Sequence, residues 1–412
     1  MIQYEEALAL IKAAAEDLKA ETRPIAKAQG YISAEAVYSR VKLPSFDNSA
    51  MDGFALRACD TQGASLSTLV SFKIVTTIAA GDAPQQRDFL PQTACEIMTG
   101  AVLPTGLDAV VRIEDVTIKG DTVHLRKPLK PGENIRYAGE DFDQGSLIMQ
   151  KGTLIQAEQI MALAALGVTT VQVIKKPIVR VITTGSELVH TSNHPLESGK
   201  IYNSNGAYLD ALFQKMGVDD YQSYSVPDEA KTFIQRMKAE TEGSHPADLI
   251  ITTGGVSAGK WDFVPEALKH LGAEIIFHKV NIRPGKPILF AKLGKTCIFA
   301  LPGNPVSTAV GYRFFIEPLL CVMQGLPKEK PLQALLTTAT TKKTGMRHFW
   351  KARLSFTKTG QAEVEILSGQ ESFKINPLLK ANAWVILEAE QDTFSVGKIM
   401  AVYPLYPSRM TA

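Results

Sequence analysis

Leu8, Ile11, Ala15 and Leu18 recur at helical spacing, with Glu5, Glu6, Glu16 and Asp17 among them. That pattern predicts an amphipathic helix at the start of the chain. Glu35 to Tyr38 reads as the beginning of an extended connection. From about residue 42 to 140 the period shortens. Apolar, β-branched runs at Leu69 to Ile78, Ala94 to Met98, Ala109 to Val116 and Thr122 to Leu125 are cut by Gly, Pro and Asp turns. These predict a small, mostly antiparallel β-barrel or sandwich. Residues 157–166 return to a helical pattern, with Gly167 as a C-cap.

From Pro177 to about Gly325 the rhythm is strand, loop, helix. Apolar strands are predicted at Ile178 to Thr183, Tyr221 to Val226, Leu249 to Thr252, Ile275 to Phe277, Pro287 to Phe290 and Thr296 to Ala300. Helices are predicted at Ala207 to Met216, Glu229 to Ala239, Val264 to Leu271 and Val306 to Met323. Alternation of this kind implies a mainly parallel sheet covered on both faces, with ligands bound beyond the carboxyl ends of its strands. Leu326 to Pro331 reads as a linker, and the remaining residues as a small β domain.

The expected class is therefore α/β multidomain. A doubly wound, mainly parallel α/β domain (176–326) is joined to a discontinuous helical/β domain (1–40 and 141–175). An inserted β-barrel-like domain (41–140) and a C-terminal small β domain (327–412) complete it. Helical text flanks the 41–140 β text on both sides, so residues 1–40 are expected to pack against 157–166.

Composition narrows the function. With 412 residues, 45% hydrophobic and 21% charged, the chain is an ordinary globular protein with room for several cores. Its 44 basic residues against 42 acidic leave no electrostatic footprint for nucleic acid or an anionic membrane. Any anion must be held locally. The charged N-terminal segment does not read as a signal peptide, and the apolar run Ile160 to Val168 is too short to span a bilayer. A cytoplasmic protein is expected. Cys59, Cys95, Cys297 and Cys321 show neither zinc nor redox spacing, so free thiols are expected. The seven histidines form no zinc pattern.

Chemistry concentrates in a few turns. Pro44 to Phe54 sets Asp47, Asn48, Ser49, Asp52 and Gly53 close together, more polar turn-formers than a plain loop requires. Three strands of the α/β unit end in glycine turns: Thr184-Gly185-Ser186-Glu187, Thr253-Gly254-Gly255-Val256-Ser257, and Pro302-Gly303-Asn304-Pro305-Val306-Ser307. Each alone is how a strand meets a helix. Three at one sheet edge point to a phosphate or oxyanion crevice. None is a nucleotide-hydrolysis or dinucleotide fingerprint. Glu187, Asp228 and Asp262 accompany them. Each could be a helix cap, but carboxylates gathered around an anion need a cation between them, and Mg²⁺ suits that place. Asn281-Ile282-Arg283-Pro284-Gly285-Lys286-Pro287 is a stiff loop whose two cations are either solvated or bound to an oxyanion.

Phe46 to Phe54, Ile97-Met98-Thr99-Gly100-Ala101, Gly139-Glu140-Asp141, Thr253 to Ser257, Pro284 to Pro287 and Pro302 to Pro305, in this order, resemble the molybdopterin molybdenumtransferases. This is the MoeA family, to which the gephyrin E domain is related. The resemblance spans nearly the whole chain. It implies an elongated homodimer of four-domain subunits with clefts built by both subunits. It also implies insertion of molybdate into adenylylated molybdopterin, Mg²⁺-dependent, with release of AMP. Other proteins of molybdenum cofactor biosynthesis are possible partners.

By the same resemblance Asp52, Asp141, Asp228 and Asp262 are candidate catalytic residues, and Glu187 and Asp262 candidate metal ligands. Thr99, Gly254, Gly255, Ser257, Pro302, Gly303 and Asn304 are candidate substrate-binding residues. So are Arg283, Lys286, Ser307, Lys351 and Ser372, which match the family's molybdate-binding positions. Ser186 stands where the family commonly has Asp, and Lys351 where it commonly has Arg, a better fork for an oxyanion. A binding or scaffold paralogue that keeps the fold without turnover is the alternative.

Overall fold

The computed structural model describes residues 1–84, 87–189, 195–256 and 263–406. At its centre is a six-stranded sheet in the order Tyr221–Val226, Val179–Thr184, Leu249–Thr253, Thr296–Leu301, Leu289–Leu293, Glu274–His278. The first four strands are parallel, and Leu289–Leu293 is antiparallel to both its neighbours. Every residue of Val179–Thr184, Leu249–Thr253 and Thr296–Leu301 is buried. Their unbroken apolar and Thr-rich text is what a strand with two covered faces requires. One face packs on Leu209, Phe213, Val310 and Phe315, the other on Phe233, Met237, Val264 and Leu268.

The helix predicted from Val306 runs as Pro305–Gly311, a π-helical turn Tyr312–Ile316, and Glu317–Met323. Its 19 residues, at mean hydropathy 1.3, are long and apolar enough to cross a membrane, which the short run 160–168 gave no hint of. With 83% of that window buried, it is the core helix of the α/β unit.

The first helix differs from its prediction. It covers only Tyr4–Ala14, and the chain turns extended at Ala15. Ala7 and Ile11 bury themselves in the α/β core with Phe315 and Leu319, not beside residues 157–166. Residues further on do return to the expected partner. Ala20–Pro24 pairs antiparallel with Thr170–Ile174, and Ile32–Ser33 pairs with its other edge. Ala28, Tyr31, Ile155, Leu163 and Val171 form one small core there, with Ile25 and Ile160 against it. The first helix thus packs on the α/β core, while residues 20–37 pack with residues 148–174.

The segment between holds a sheet ordered Ala109–Arg112, Gly53–Leu56, Thr93–Ile97, Val70–Ile78, Thr122–Leu125, Val116–Lys119. Only Val70–Ile78 with Thr93–Ile97 is a parallel pair. The C-terminal unit is the one that closes. Arg347–Phe356, Ala362–Ile366, Leu332–Leu336, Ile399–Pro404 and Ala383–Leu387 follow one another, and the last pairs back with the first. This five-strand barrel docks on the core helix through Phe314, whose ring centroid lies 4.3 Å from that of Phe349 and 6.2 Å from that of Trp384.

Candidate active site

Parallel register places the three predicted turns side by side, since Val179, Leu249 and Cys297 are aligned and the strands end together at Thr184, Thr253 and Leu301. They touch. Gly254 donates its N–H to the Leu301 carbonyl at 3.1 Å, and the Thr184 hydroxyl donates to the Thr253 carbonyl at 3.4 Å. Gly254 has φ +94°, and a Cβ there would stand 2.5 Å from the Thr184 carbonyl oxygen. Glycine is required on both counts.

The helix starts complete this edge. Asn203 caps Ser204–Met216 by accepting from the Gly206 N–H, while its amide donates to the Thr183 hydroxyl at 2.8 Å. Asn205, nearly buried, donates to the Gly303 carbonyl at 2.8 Å. Asn304 is the N-cap position of the core helix, with Pro305 following it and Ser307 buried in the first turn. Asn203 and Asn205 escaped the sequence reading, which began that helix at Ala207. The Asn203-Ser204-Asn205-Gly206 cluster carried the capping signal that would have found them.

The basic loop joins the same edge to the barrel. Ile282–Arg283 adds in parallel to the barrel strand, Arg283 opposite His348. Arg283 and Lys286 are exposed, and among the described residues neither forms an ion pair. Lys351, three residues along that barrel strand, is fully buried. Its ammonium donates to the carbonyls of Glu371 and Lys374, each at 3.3 Å. Burial, above all, holds its pKa down to about 8. The segment it supports touches the third glycine turn, because the Ser372 carbonyl accepts the Val306 N–H at 3.0 Å. Ser307, Lys351 and Ser372 are thereby brought to one place, with Arg283 on the adjoining strand and Lys286 in the turn that follows it.

Glu187 and Asp228 flank the first turn. Asp228 accepts from the Ser186 N–H at 3.1 Å, and the Glu187 carboxylate folds back over Gly185. Lys200 donates to the Ser186 carbonyl at 2.7 Å. No group of three or more His, Cys, Asp or Glu suited to a metal occurs among the described residues. Mg²⁺ does not require one, since it keeps several waters and takes one or two carboxylates plus substrate phosphate. The hard oxygens of Glu187 fit that pattern. Ser257 and Asp262 lie outside the described residues.

The remaining candidates form a second cluster, in the inserted β domain. Both the N–H and the hydroxyl of Thr99 donate to Asp52 Oδ1, at 2.7 and 2.8 Å. These bonds, the backbone one first, hold the Asp52 carboxyl below its ordinary pKa. Gly100 donates to the Ser49 carbonyl, Ala138 to the Asp47 carboxylate, and Asp141 to the Leu43 carbonyl. Three motifs distant in sequence thus clasp one another. Among the described residues, the hydrogen bonds of Asp52, Thr99 and Asp141 stay within this unit and do not reach the glycine turns.

Stacked glycine turns, a basic loop tied to a β-barrel and a separate acidic cluster define a multidomain α/β protein. Comparison with known proteins gives the family. Residues 2–167 match a family model described as MoeA N-terminal region (domain I and II). Residues 180–321 match a probable molybdopterin binding domain, and 333–405 the MoeA C-terminal region (domain IV). A molybdopterin molybdenumtransferase of Synechococcus elongatus is 36% identical over 409 residues, 98% of this chain and 100% of the relative. One from Staphylococcus aureus is 36% identical over 399 residues, 96% and 94% of the two chains. The solved structure of a molybdopterin biosynthesis MoeA protein from Pyrococcus horikoshii superposes with TM-score 0.82 at 27% identity, covering 98% of this chain and 99% of that one. The chain belongs to the molybdopterin molybdenumtransferase family.

Proposed function

We propose that this chain acts in molybdenum cofactor biosynthesis, inserting molybdate into adenylylated molybdopterin and releasing AMP. The observation that carries the reading is the junction of three touching glycine turns with the Arg283–Lys286 loop and the Lys351 barrel strand. The turns offer backbone N–H groups and the starts of two helices to the phosphoanhydride and adenylate. Arg283 and Lys286, without an ion pair among the described residues, offer charge to a tetrahedral dianion, with Ser307, Lys351 and Ser372 beside them. Glu187, with Asp262, would hold Mg²⁺, whose charge would offset that of the phosphates. Asp228 orients the Ser186 turn.

Asp52, Thr99 and Asp141 complete the site from a second subunit in this reading, which makes the working form a cytoplasmic homodimer. The Asp52 carboxylate, held below its ordinary pKa by Thr99 and placed in a unit separate from the glycine turns, supports that division. The experiment is AMP release from adenylylated molybdopterin with and without molybdate, in parent and Lys286→Ala. AMP release should depend on molybdate, and the variant should need roughly ten- to a hundredfold more of it, the worth of one charge-assisted contact. A chain that binds the nucleotide but releases no AMP with molybdate and Mg²⁺ present is a scaffold, not this enzyme.

A further inference from the structure

The basic loop has a second anchor besides the barrel. Ile2 forms a parallel bridge with Val280, donating its N–H to the Lys279 carbonyl at 3.1 Å and accepting from the Asn281 N–H at 2.8 Å. The Asn281 carbonyl in turn accepts the Arg347 N–H at 3.2 Å. Its side-chain amide donates to the Gly345 carbonyl at 2.7 Å and to Gln3 Oε1 at 3.3 Å. Asn281 is 9% exposed, and its Oδ1 is buried without a partner among the described residues. One residue therefore couples three segments: Ile2–Gln3, the loop, and the start of the Arg347–Phe356 strand.

The strap continues beyond it. Arg347 is ion-paired to both Glu5 and Glu388 and lies over the Tyr4 ring, 4.9 Å from its centroid. Tyr4 packs edge-on against Phe315 and Phe349 at 5.5 and 5.3 Å. The loop's own backbone bonds are Lys279 N–H to the Ile288 carbonyl at 3.0 Å, Val280 N–H to Lys286 and Ile282 N–H to Val280 at 2.9 Å each, and Ile288 N–H to Gly285 at 3.1 Å, and none of them is made by Arg283. Arg283 and Lys286 form no ion pair among the described residues, so their placement is set by the backbone.

We propose that Ile2 and Asn281 are positioning residues: the N-terminal bridge and the amide bonds they make strap the Arg283–Lys286 loop in the geometry that receives the oxyanion. The inference rests on the functional reading above. A bound oxyanion needs several donors aimed at one point, and a small displacement of a charged loop is costly in that geometry. Asn281 suits the task because its two amide protons reach two different acceptors. Aspartate has the same shape and none of those donors.

The test uses the full chain with Ile2→Pro, which removes the N–H given to Lys279, and Asn281→Asp, beside Lys286→Ala as the reference arm. KM for molybdate should rise on the order of tenfold in Ile2→Pro and Asn281→Asp, while KM for adenylylated molybdopterin changes less than about twofold. Hydrogen exchange should quicken at the Val280 and Ile288 amides and stay unchanged in the Leu249–Thr253 strand. A molybdate KM equal to the parent's in both variants, with Lys286→Ala raised, overturns the strap alone. Both KM values rising together overturns it too, since that is general damage. An unmoved Lys286→Ala removes the functional reading, and the strap with it.

Discussion

Lys351 shows how one residue's surroundings can change its chemistry. Its burial beneath the 371–374 segment lowers its pKa to about 8, so the ammonium is charged below that pH and neutral above it. Arginine in its place would stay charged throughout. If Lys351 lends charge to molybdate, KM for molybdate should climb as the pH passes 8, whereas in Lys351→Arg it should stay level. Profiles of identical shape would confine Lys351 to supporting the backbone carbonyls. Gly53 makes a complementary point. A Cβ there would fall 1.9 Å from the Val111 carbonyl oxygen, so this glycine of the most distinctive motif answers to packing, while its neighbour Asp52 answers to Thr99.

Among the elements, the barrel strand that pairs with Ile282–Arg283 carries a pH signature. His348, opposite Arg283, is buried, with its Nδ1 unpartnered among the described residues. Burial first, then Lys342 and Arg283, press its pKa down to about 4. The unfolded chain takes up this proton near 6.5, the folded chain only near 4, so between those values the unfolded state binds more protons. Stability should therefore fall as the pH drops from 6.5 to 4, by up to roughly 3 kcal/mol from this one group. Above 6.5 the group contributes no slope. Denaturant titrations of the parent and His348→Gln across that window should show the variant's curve to be flatter by about that amount. Parallel curves would mean that His348 protonates in the folded state without penalty.

At the scale of the whole molecule, the two clusters of functional candidates lie in different units, one at the α/β–barrel junction and one in the inserted β domain. A shared site across a two-fold axis predicts complementation. At a molybdate concentration that just saturates the parent, Lys286→Ala and Asp52→Ala should each show little activity alone. In an isolated heterodimer of the two, one site carries both changes and the other neither, so about half the parental activity should return. Heterodimers as inactive as the single variants would require both clusters to act from the same chain.

Local patterning sufficed for much of this. Leu249 to Thr253 announces a strand covered on both faces because every position is apolar or threonine. The Gly254 and Gly303 turns announce themselves because each follows such a strand and precedes a helix. The Lys286 loop was legible as a stiff basic segment. Tertiary structure alone decided what these segments face. The first helix left its expected partner because a hydrophobic stripe carries no address, and the α/β core offered Ala7 and Ile11 a place. Closure of the C-terminal strands into a barrel, and the addition of Ile282–Arg283 to its edge, depend on pairings between residues far apart in the chain. So does the clasp of Asp52 on Thr99. Periodicity marks which side of a segment is buried, whereas long-range register marks its partner, and only the folded chain holds the second.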